Sequence, residues 1–329
     1  MLEKRQQRSM NKAYLLEKCD HRIQHALTDN TIGEIILNSD GKLWLIDHYG
    51  NTHHAGCIAA QQAMGFVHAL AQFEKQYLND KTPYLDAILP FNGERINVRI
   101  PPITKNVSFN IRKKSLKIYS LQEYVEKKSV TQNQAAILTQ AIMDRKNILV
   151  SGSPASGKTT LTNALLDTMS RVMPDGHRVL LLEQIPELQC NVSNLESFLT
   201  SAYCDMNKLL WTAMRSSPDC LVVGEVRDGA ALDLLKAWNT GCHGGVATIH
   251  ANHARAAVQR LLDLSCEVSV TPPYTLIAEA VDIIVHIQAS KKNNDAKRQV
   301  TEIVAIDDFD VHTKEYQFKK LDNQEKHNA

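Results

Sequence analysis

A glycine-rich motif carries the most specific chemistry in this 329-residue sequence. The residues GSPASGKT at 152–159 match the pattern GxxxxGK[ST]. The motif follows a short apolar strand predicted at Asn147–Ser151 and opens a helix predicted at Lys158–Met169. Backbone N–H groups of such a turn point inward, and the helix N-terminus adds partial positive charge. The pattern is therefore typical of a site for phosphate groups, and a plain Gly-Ser turn is the disfavoured alternative.

Within this motif, the residue types assign individual roles. We expect the Lys158 ammonium group to reach the β- and γ-phosphates of a nucleoside triphosphate. The Thr159 hydroxyl is expected to bind Mg²⁺. The sequence thus predicts ATP and Mg²⁺ as ligands. The predicted nucleotide-binding residues are Gly152, Ser153, Pro154, Ala155, Ser156, Gly157, Lys158, Thr159 and Thr160.

Two further predicted strands end in carboxylates. Glu183 follows the apolar strand Arg178–Leu182, and Glu225 ends the apolar run that begins at Leu221. Because ligands of open α/β sheets bind at the carboxyl ends of strands, both acids should lie near the phosphate motif. We assign Glu225 as the general base that activates water, and Glu183 with Glu187 as holders of Mg²⁺ or its water shell. A solvated acid is the alternative for Glu225, and for Glu187 the two interpretations are evenly balanced.

Two basic side chains could take part in the same chemistry. Arg227 either binds phosphate or pairs with Glu225, and the sequence does not choose between these. His250 ends a predicted strand at Val246–Ile249, where it can donate a hydrogen bond to a phosphate and so report its presence. A purely structural histidine is the alternative, which the nearby phosphate motif makes less favoured. Asp219 precedes its strand and belongs to the far end of the sheet, so it is not a predicted metal ligand.

The pattern of predicted helices and strands changes near Lys128. The sequence before this point mixes helices and strands, with a hairpin predicted at the Asp40-Gly41 turn. After it, strands and helices alternate, which predicts a parallel sheet covered on both faces. The predicted domains are an N-terminal α+β domain with its linker at 1–128 and an α/β domain with a mainly parallel sheet at 129–329. The remaining predicted elements are helices Leu15–Leu27, Ala59–Tyr77, Gln132–Asp144, Asp205–Arg215, Gly229–Thr240 and Ala254–Leu264, and strands Glu34–Asn38, Lys42–Ile46, Arg95–Ile100, Val107–Arg112 and Cys220–Val223.

Composition narrows the class of protein. Lys and Arg number 37 and Asp and Glu 36, a net charge of +1 that argues against a strongly basic nucleic-acid binder. Seven scattered cysteines without a CxxC pair are typical of reduced thiols in the cytoplasm. No stretch approaches the ~20 apolar residues that a spanning helix needs. We therefore expect a cytoplasmic protein.

Four blocks of the sequence together resemble the secretion traffic ATPases, the hexameric motors of type II and type IV secretion and of type IV pili. The blocks are SGSPASGKTTL at 151–161, LLLEQIPELQ at 180–189, MRSSPDCLVVGEVRDGAALDLLKAWNTG at 214–241 and GGVATIHANHA at 244–254. The third block and NTIGEIILNSDGKLWL at 30–45 are most similar to the TrbB-type ATPases of conjugative type IV secretion. The resemblance covers nearly the whole chain. It implies a PAS-like first domain followed by a RecA-like P-loop ATPase domain.

The resemblance also implies an activity, an assembly and a location. These are ATP hydrolysis, a hexameric ring, inner-membrane secretion-channel components as partners, and a place on the cytoplasmic face of the inner membrane. It implies that arginines of the first domain reach the nucleotide, with Arg112 in that role and Arg95 and Arg99 as weaker candidates. It maps an acidic box onto Glu183–Glu187, the catalytic glutamate onto Glu225, with Arg227 nearby, and a histidine box that ends on His250.

This sequence departs from the family pattern at two places. Gln184 stands where the acidic box usually has aspartate, which removes one charge from the metal site. The histidine box usually opens with Thr-Gly-His, but here Thr240-Gly241 is followed by Cys242 and only then by His243.

Other functions remain as alternatives to a conjugative secretion motor, and each would need its own sequence features. Within the superfamily, a type II secretion or type IV pilus ATPase is the alternative, although no tetracysteine cluster of the type II branch is present. A nucleic-acid-tracking motor should have a basic, aromatic-lined channel, whereas aromatic residues are only 6% of this chain. A small-molecule phosphotransferase should carry a lid motif, and we find none in the sequence.

Overall fold

The computed structural model describes residues 12–47, 50–113, 118–201, 203–292 and 295–322. The chain divides into two compact units within 113–118, and Lys292, Asp295 and Ala296 are grouped with the first unit. This division lies ahead of the predicted boundary at Lys128. The reason is that Leu121 and Tyr124 are buried in the core of the second unit together with Val130.

The first unit contains a six-stranded antiparallel sheet. A helical segment at 12–18 precedes its labelled elements. These are α1 His21–Thr28, β1 Ile32–Leu37, β2 Lys42–Asp47, β3 Thr52–Cys57, α2 Ala60–Phe73, β4 Tyr84–Ile88, β5 Arg95–Arg99 and β6 Ser108–Arg112. The strand order is β3-β2-β1-β6-β5-β4.

Helices cover one face of this sheet. The predicted helix Leu15–Leu27 is interrupted because Asp20 caps α1, where its carboxylate accepts the backbone N–H of Arg22 at 2.9 Å. Ile23 is buried on the inner side of α1. On α2, Phe66 meets Phe109 of β6 edge-on, with ring centroids 5.8 Å apart. The alternation of buried and exposed residues along the strands then leaves the other face polar.

The second unit contains an eight-stranded, mainly parallel sheet, as the alternation of strands and helices predicts. Its helices are α3 Leu121–Glu126, α4 Gln132–Met143, α5 Lys158–Val172, α6 Met206–Ala213, α7 Ala230–Asn239, α8 Ala254–Cys266 and α9 Tyr274–Ala280. Its strands are β7 Ile148–Gly152, β8 Arg178–Glu183, β9 Asn194–Leu199, β10 Cys220–Val226, β11 Val246–His250, β12 Ile283–Lys292, β13 Asp295–Asp310 and β14 Glu315–Lys320. The strand order is β14-β13-β12-β7-β11-β10-β8-β9. Along this order, each two neighbouring strands from β12 through β7, β11, β10 and β8 to β9 are parallel. Strand β13 pairs with β14 antiparallel.

Strand β7 lies at the centre of this sheet and is buried on both faces. Leu149 belongs to the core formed with α6, α7, α8 and α9. Ile148 and Val150 belong to the core formed with α3, α4 and α5. Such two-sided burial is why the parallel strands are continuous apolar runs. Every helix in the described part of the chain is too short or too polar to cross a bilayer.

The start of β11 is closely packed, and this gives a test of the fold. A methyl group at Gly245 would overlap Nε1 of Trp238 and would lie 2.6 Å from the Leu221 carbonyl oxygen. We expect Gly245→Ala to lower the free energy of unfolding by about 1–3 kcal/mol, measured by urea denaturation. Gly65→Ala on the exposed side of α2, where a methyl group meets nothing within 4 Å, is the matched control and should raise it by about 0.4–1 kcal/mol. Equal effects of the two substitutions would contradict this packing.

Candidate active site

Four predicted site residues lie at the carboxyl edge of the sheet, the edge at which its parallel strands end. In the register of β7 and β11, His250 is opposite Gly152. Strand β10, which carries Glu225, pairs with β11, and β8, which ends at Glu183, pairs with β10. Residues far apart in the sequence therefore share one site because they occupy successive strand ends.

The turn between β7 and α5 needs glycine at two positions. Gly157 precedes α5 with φ at +98°, in the left-handed region that glycine adopts without strain. A side chain at Gly152 would overlap the carbonyl oxygen of Ile287 and the hydroxyl of Ser156. Ala155 also has a positive φ, +59°, which is uncommon for a residue with a side chain. Left-handed residues in a tight turn are typical of the anion-binding nests that successive backbone N–H groups form.

The ammonium group of Lys158 is buried inside this turn. It donates to the carbonyl oxygens of Gly152 at 3.0 Å and Ser153 at 3.1 Å. It also lies 3.0 Å from Nδ1 of His250. A buried ammonium group is tolerated when its hydrogens are bonded in this way. The positive charge is consequently fixed at the turn, where the sequence predicts phosphate.

His250 connects this lysine to the predicted base. Lysine can only donate a hydrogen bond, so Nδ1 of His250 accepts, and the hydrogen of the neutral ring is on Nε2. Nε2 lies 2.8 Å from Oε1 of Glu225. Burial, and next the charge of Lys158, lower the pKa of His250 below its ordinary 6.5, while Glu225 partly opposes this. The neutral ring thus accepts from Lys158 and lies in contact with Glu225, whose Oε1 accepts no hydrogen bond from a described residue.

Arg227 pairs with Glu225, one of the two alternatives left open by the sequence. Its Nη2 donates to Oε2 of Glu225 at 2.5 Å, and its Nη1 donates to Oε1 of Gln184 at 3.3 Å. Gln184, the departure from the acidic box, therefore still serves as an acceptor for this arginine. Both carboxylate oxygens of Glu225 contact other side chains of the site.

Glu183 is buried at the end of β8. Its Oε1 accepts the backbone N–H groups of Glu187 and Leu188, each at 2.8 Å. Its Cγ would lie 3.1 Å from a methyl group at Gly224, the residue before the predicted base. Glu183 thus organises the turn that follows β8, a role that the sequence did not predict.

The predicted metal-binding roles stay predictions. Thr159 and Thr160 are half-buried in the first turn of α5. Glu187 lies close enough to Arg227 for its charge to raise the pKa of that guanidinium, after the larger effect of Glu225. The described residues contain no group of three or more His, Cys, Asp or Glu side chains that could hold a metal.

The three arginines that are predicted to reach the nucleotide lie on the polar face of the sheet of the first unit, where each has neighbours of its own. Arg95 lies opposite Arg112 across β5 and β6. Arg112 is exposed, and its Nε is 3.8 Å from Oε1 of Glu34. Arg99 donates to Oδ1 of Asn110 at 2.5 Å. Their role at the nucleotide stays a prediction.

Sequence reasoning missed one buried pair directly beside the phosphate turn. The hydroxyl of Ser151 lies 2.9 Å from Nδ1 of His286, which is buried on β12. Burial lowers the pKa of His286, and the charges of His253 and Lys158 add to this, while Glu302 opposes it. In the sequence, the only sign of this pair is a lone histidine inside the apolar run Ile283–Ile287, and no motif surrounds that histidine.

Comparison with known proteins agrees with this geometry. Residues 18–323 match the family described as type II/IV secretion system protein. The chain belongs to this family. The probable conjugal transfer protein TrbB of Sinorhizobium fredii is 40% identical over 284 residues, covering 86% of each chain. The type IV secretion system protein VirB11 of Bartonella quintana is 30% identical over 325 residues, covering 84% of this chain and 89% of that protein.

A solved structure agrees with the fold of this family member. The ATPase DotB of Legionella pneumophila covers 86% of this chain and 79% of its own, with a TM-score of 0.64 and 14% identity. At this identity the likeness concerns the fold alone. The predicted fold, an N-terminal α+β domain followed by a RecA-like domain, is confirmed. The predicted membership in the secretion ATPases, nearest to the TrbB type of conjugative type IV secretion, is confirmed as well.

The buried pair of Ser151 and His286 predicts a pH dependence of stability. The pKa of His286 lies below its ordinary 6.5 in the folded chain, so the unfolded chain takes up a proton first as the pH falls. The stabilisation is fully present above the unfolded pKa and decreases as the pH falls towards the folded pKa. We expect His286→Gln to reduce the loss of unfolding free energy between pH 7 and pH 5, by at most about 1.4 kcal/mol per pH unit.

Urea denaturation at several pH values measures this difference. Because His177 and His250 also have lowered pKa values and remain in the variant, the comparison is between slopes rather than absolute stabilities. His68→Gln, at an exposed position of α2, is the control for the substitution itself. Identical slopes for the unaltered protein and His286→Gln would show that His286 is not a buried titrating group.

Proposed function

We propose that the protein hydrolyses ATP to ADP and phosphate at the carboxyl edge of its parallel sheet, and that this reaction drives conjugative type IV secretion. The observation that carries the proposal is the continuous chain of contacts from Lys158 through His250 to Glu225. It joins a phosphate-binding cation to a carboxylate through one neutral imidazole. Membership of the type II/IV secretion system family and the TrbB relative support the biological setting.

The donor groups at the turn fit a triphosphate with Mg²⁺. Residues 152–160 provide backbone N–H groups at a helix N-terminus, and Lys158 provides a fixed positive charge. The Ser156 hydroxyl is buried without a hydrogen-bond partner in the described structure, as expected of a loop that closes around a ligand. Thr159 and Glu183 would hold Mg²⁺, with Glu187 at its water shell. When bound, the ion supplies neutralisation of phosphate charge.

Glu225 is the group that takes the proton from the attacking water. General-base assistance of this kind typically contributes 10²–10⁴-fold to the rate. Arg227 donates a hydrogen bond to Oε2 of this carboxylate and so sets its orientation, while Oε1 lies beside His250 and accepts no hydrogen bond from a described residue. A phosphate that takes up the Lys158 ammonium group competes with Nδ1 of His250 for the same donor. The histidine contact to Glu225 therefore depends on whether phosphate is bound, which gives His250 the reporting role.

The mechanical part of the proposal concerns a ring. Six copies would place an arginine of the first domain, Arg112 before Arg95 or Arg99, at a nucleotide bound by the second domain of the same or a neighbouring copy. Hydrolysis would then change the relation between the domains. The ring would act on inner-membrane components of a secretion channel from the cytoplasmic face. The VirB11 relative from a type IV secretion system supports this setting.

The base assignment predicts a separation of binding from turnover. Glu225→Gln keeps the size of the side chain and one acceptor oxygen for Arg227, but it cannot accept the proton. We expect kcat for ATP hydrolysis to fall at least about 100-fold while the Kd for ATP changes by less than about threefold. Glu267→Gln, at an exposed position after α8, is the matched control and should leave both unchanged. Full activity of Glu225→Gln would move the base to Glu183.

Lys158→Ala tests the binding of ATP rather than its cleavage. Removal of the ammonium group should abolish measurable retention of ATP. A Lys158→Ala protein that retains and cleaves ATP normally would contradict the whole assignment.

The proposed ring predicts that the protein forms a particle of higher mass than one chain in solution. Light scattering with and without nucleotide and Mg²⁺ should detect a species of six times 36.9 kDa. Glu225→Gln, which holds ATP without turnover, is the form in which this species should be most populated. A strict monomer under every condition would exclude the ring but leave nucleotide binding intact.

A further inference from the structure

A second cation lies against the phosphate turn, on the side away from Glu225. Arg298 belongs to β13, in the same unit as the turn. A methyl group at Gly157 would lie 3.0 Å from Cδ of Arg298 and 3.7 Å from its Nε. The arginine stem therefore covers the left-handed glycine that directly precedes Lys158.

The charge of Arg298 has no anionic partner in the described part of the chain. Its side chain is half-buried and takes part in no hydrogen bond or ion pair with a described residue. Glu302, on the same face of β13, is engaged elsewhere, because its carboxylate accepts the backbone N–H of Ala254 at 2.7 Å. Tyr124 lies near enough for the charge to act on it: burial raises the pKa of its hydroxyl, and Arg298 opposes this. A half-buried arginine side chain that lies against a glycine of the phosphate turn, without an anionic partner among the described residues, is suited to an anionic ligand.

The strand order indicates which part of that ligand Arg298 meets. Strand β7 has β11 and then β10 on one side, and β12 and then β13 on the other. Glu225 and His250 belong to β10 and β11, so the phosphate that is cleaved faces that side. Arg298 belongs to the opposite side, where the phosphates that remain in ADP would lie.

We propose that Arg298 binds the α- and β-phosphates of the nucleotide from within the same subunit. This inference rests on the proposed function. It assigns a role distinct from that predicted for Arg112, which is to reach the nucleotide from the first domain. Arg298 acts on groups shared by ATP and ADP, so its effect does not depend on the state of hydrolysis.

Binding of ADP, ATP and inorganic pyrophosphate to the full-length protein tests this contact. We expect Arg298→Ala to raise the Kd for all three about tenfold or more, as loss of a charge-assisted hydrogen bond does. Arg298→Lys should recover part of the affinity, since it keeps the charge without the fork of donors. Lys297→Ala is the matched control: Lys297 is the exposed neighbour on the other face of β13 and should bind like the unaltered protein.

Several results would overturn the inference. One is unchanged ADP affinity in Arg298→Ala, and another is weaker ADP binding with unchanged pyrophosphate binding, which would assign Arg298 to the base or ribose. Loss of both affinities in Arg298→Ala and Arg298→Lys together with a lowered melting temperature of the ligand-free proteins would assign it to folding. The proposed function fails separately, if the unaltered protein binds ADP no better than Lys158→Ala.

Discussion

The buried ammonium group of Lys158 is the charge on which the rest of the site depends. Removing an ammonium group from water is strongly unfavourable unless all of its hydrogens are bonded. Two of its acceptors, the carbonyl oxygens of Gly152 and Ser153, exist only because the chain turns sharply after β7. The third, Nδ1 of His250, is present because β11 pairs with β7 in a register that places His250 opposite Gly152. The lysine therefore requires the parallel sheet in its observed strand order.

The same arrangement makes the predicted base sensitive to the predicted ligand. His250 can accept from Lys158 and contact Glu225 at once only in one neutral tautomer. Arg227 is shared between Glu225 and the amide oxygen of Gln184. An aspartate at position 184 would compete with Glu225 for this arginine, whereas glutamine accepts a hydrogen bond without adding a negative charge. The departure from the usual acidic box consequently leaves Glu225 as the main carboxylate partner of Arg227.

The sequence predicts the region from β7 to α8 well and the region after it poorly. Strands β7, β10 and β11 are each a short apolar run followed by a polar strand end and a helix with a clear apolar face, so periodicity and turn residues agree. After α8, Leu276–Ile287 is one apolar run that in fact contains the end of α9 and the start of β12. The turn at 311–314 between β13 and β14 is Val-His-Thr-Lys, without the glycine, proline or asparagine that announces a hairpin. Strand β9 at the sheet edge has too few buried side chains for a pattern.

Within the site, residue types and strand ends were predictable but partners were not. The motif at 152–159 and the positions of Glu225 and His250 follow from local sequence. Whether Arg227 meets a phosphate or Glu225, and which groups the oxygens of Glu183 accept from, depend on register between strands distant in sequence. Local patterns contain no information about that register.

The late strands that periodicity misses are needed to complete the turn. Ile287 of β12 packs so closely on Gly152 that no side chain fits there, and it also lies within reach of Gly157. Arg298 of β13 covers the outer side of Gly157. The turn is thus enclosed by β11 and β10 on one side and by β12 and β13 on the other, with acid and imidazole on the first side and a guanidinium group on the second. A triphosphate lying along this turn would meet the groups suited to bond cleavage at one end and a cation suited to retention at the other. A motor needs both, because the product must be held after cleavage until the next step of the cycle releases it.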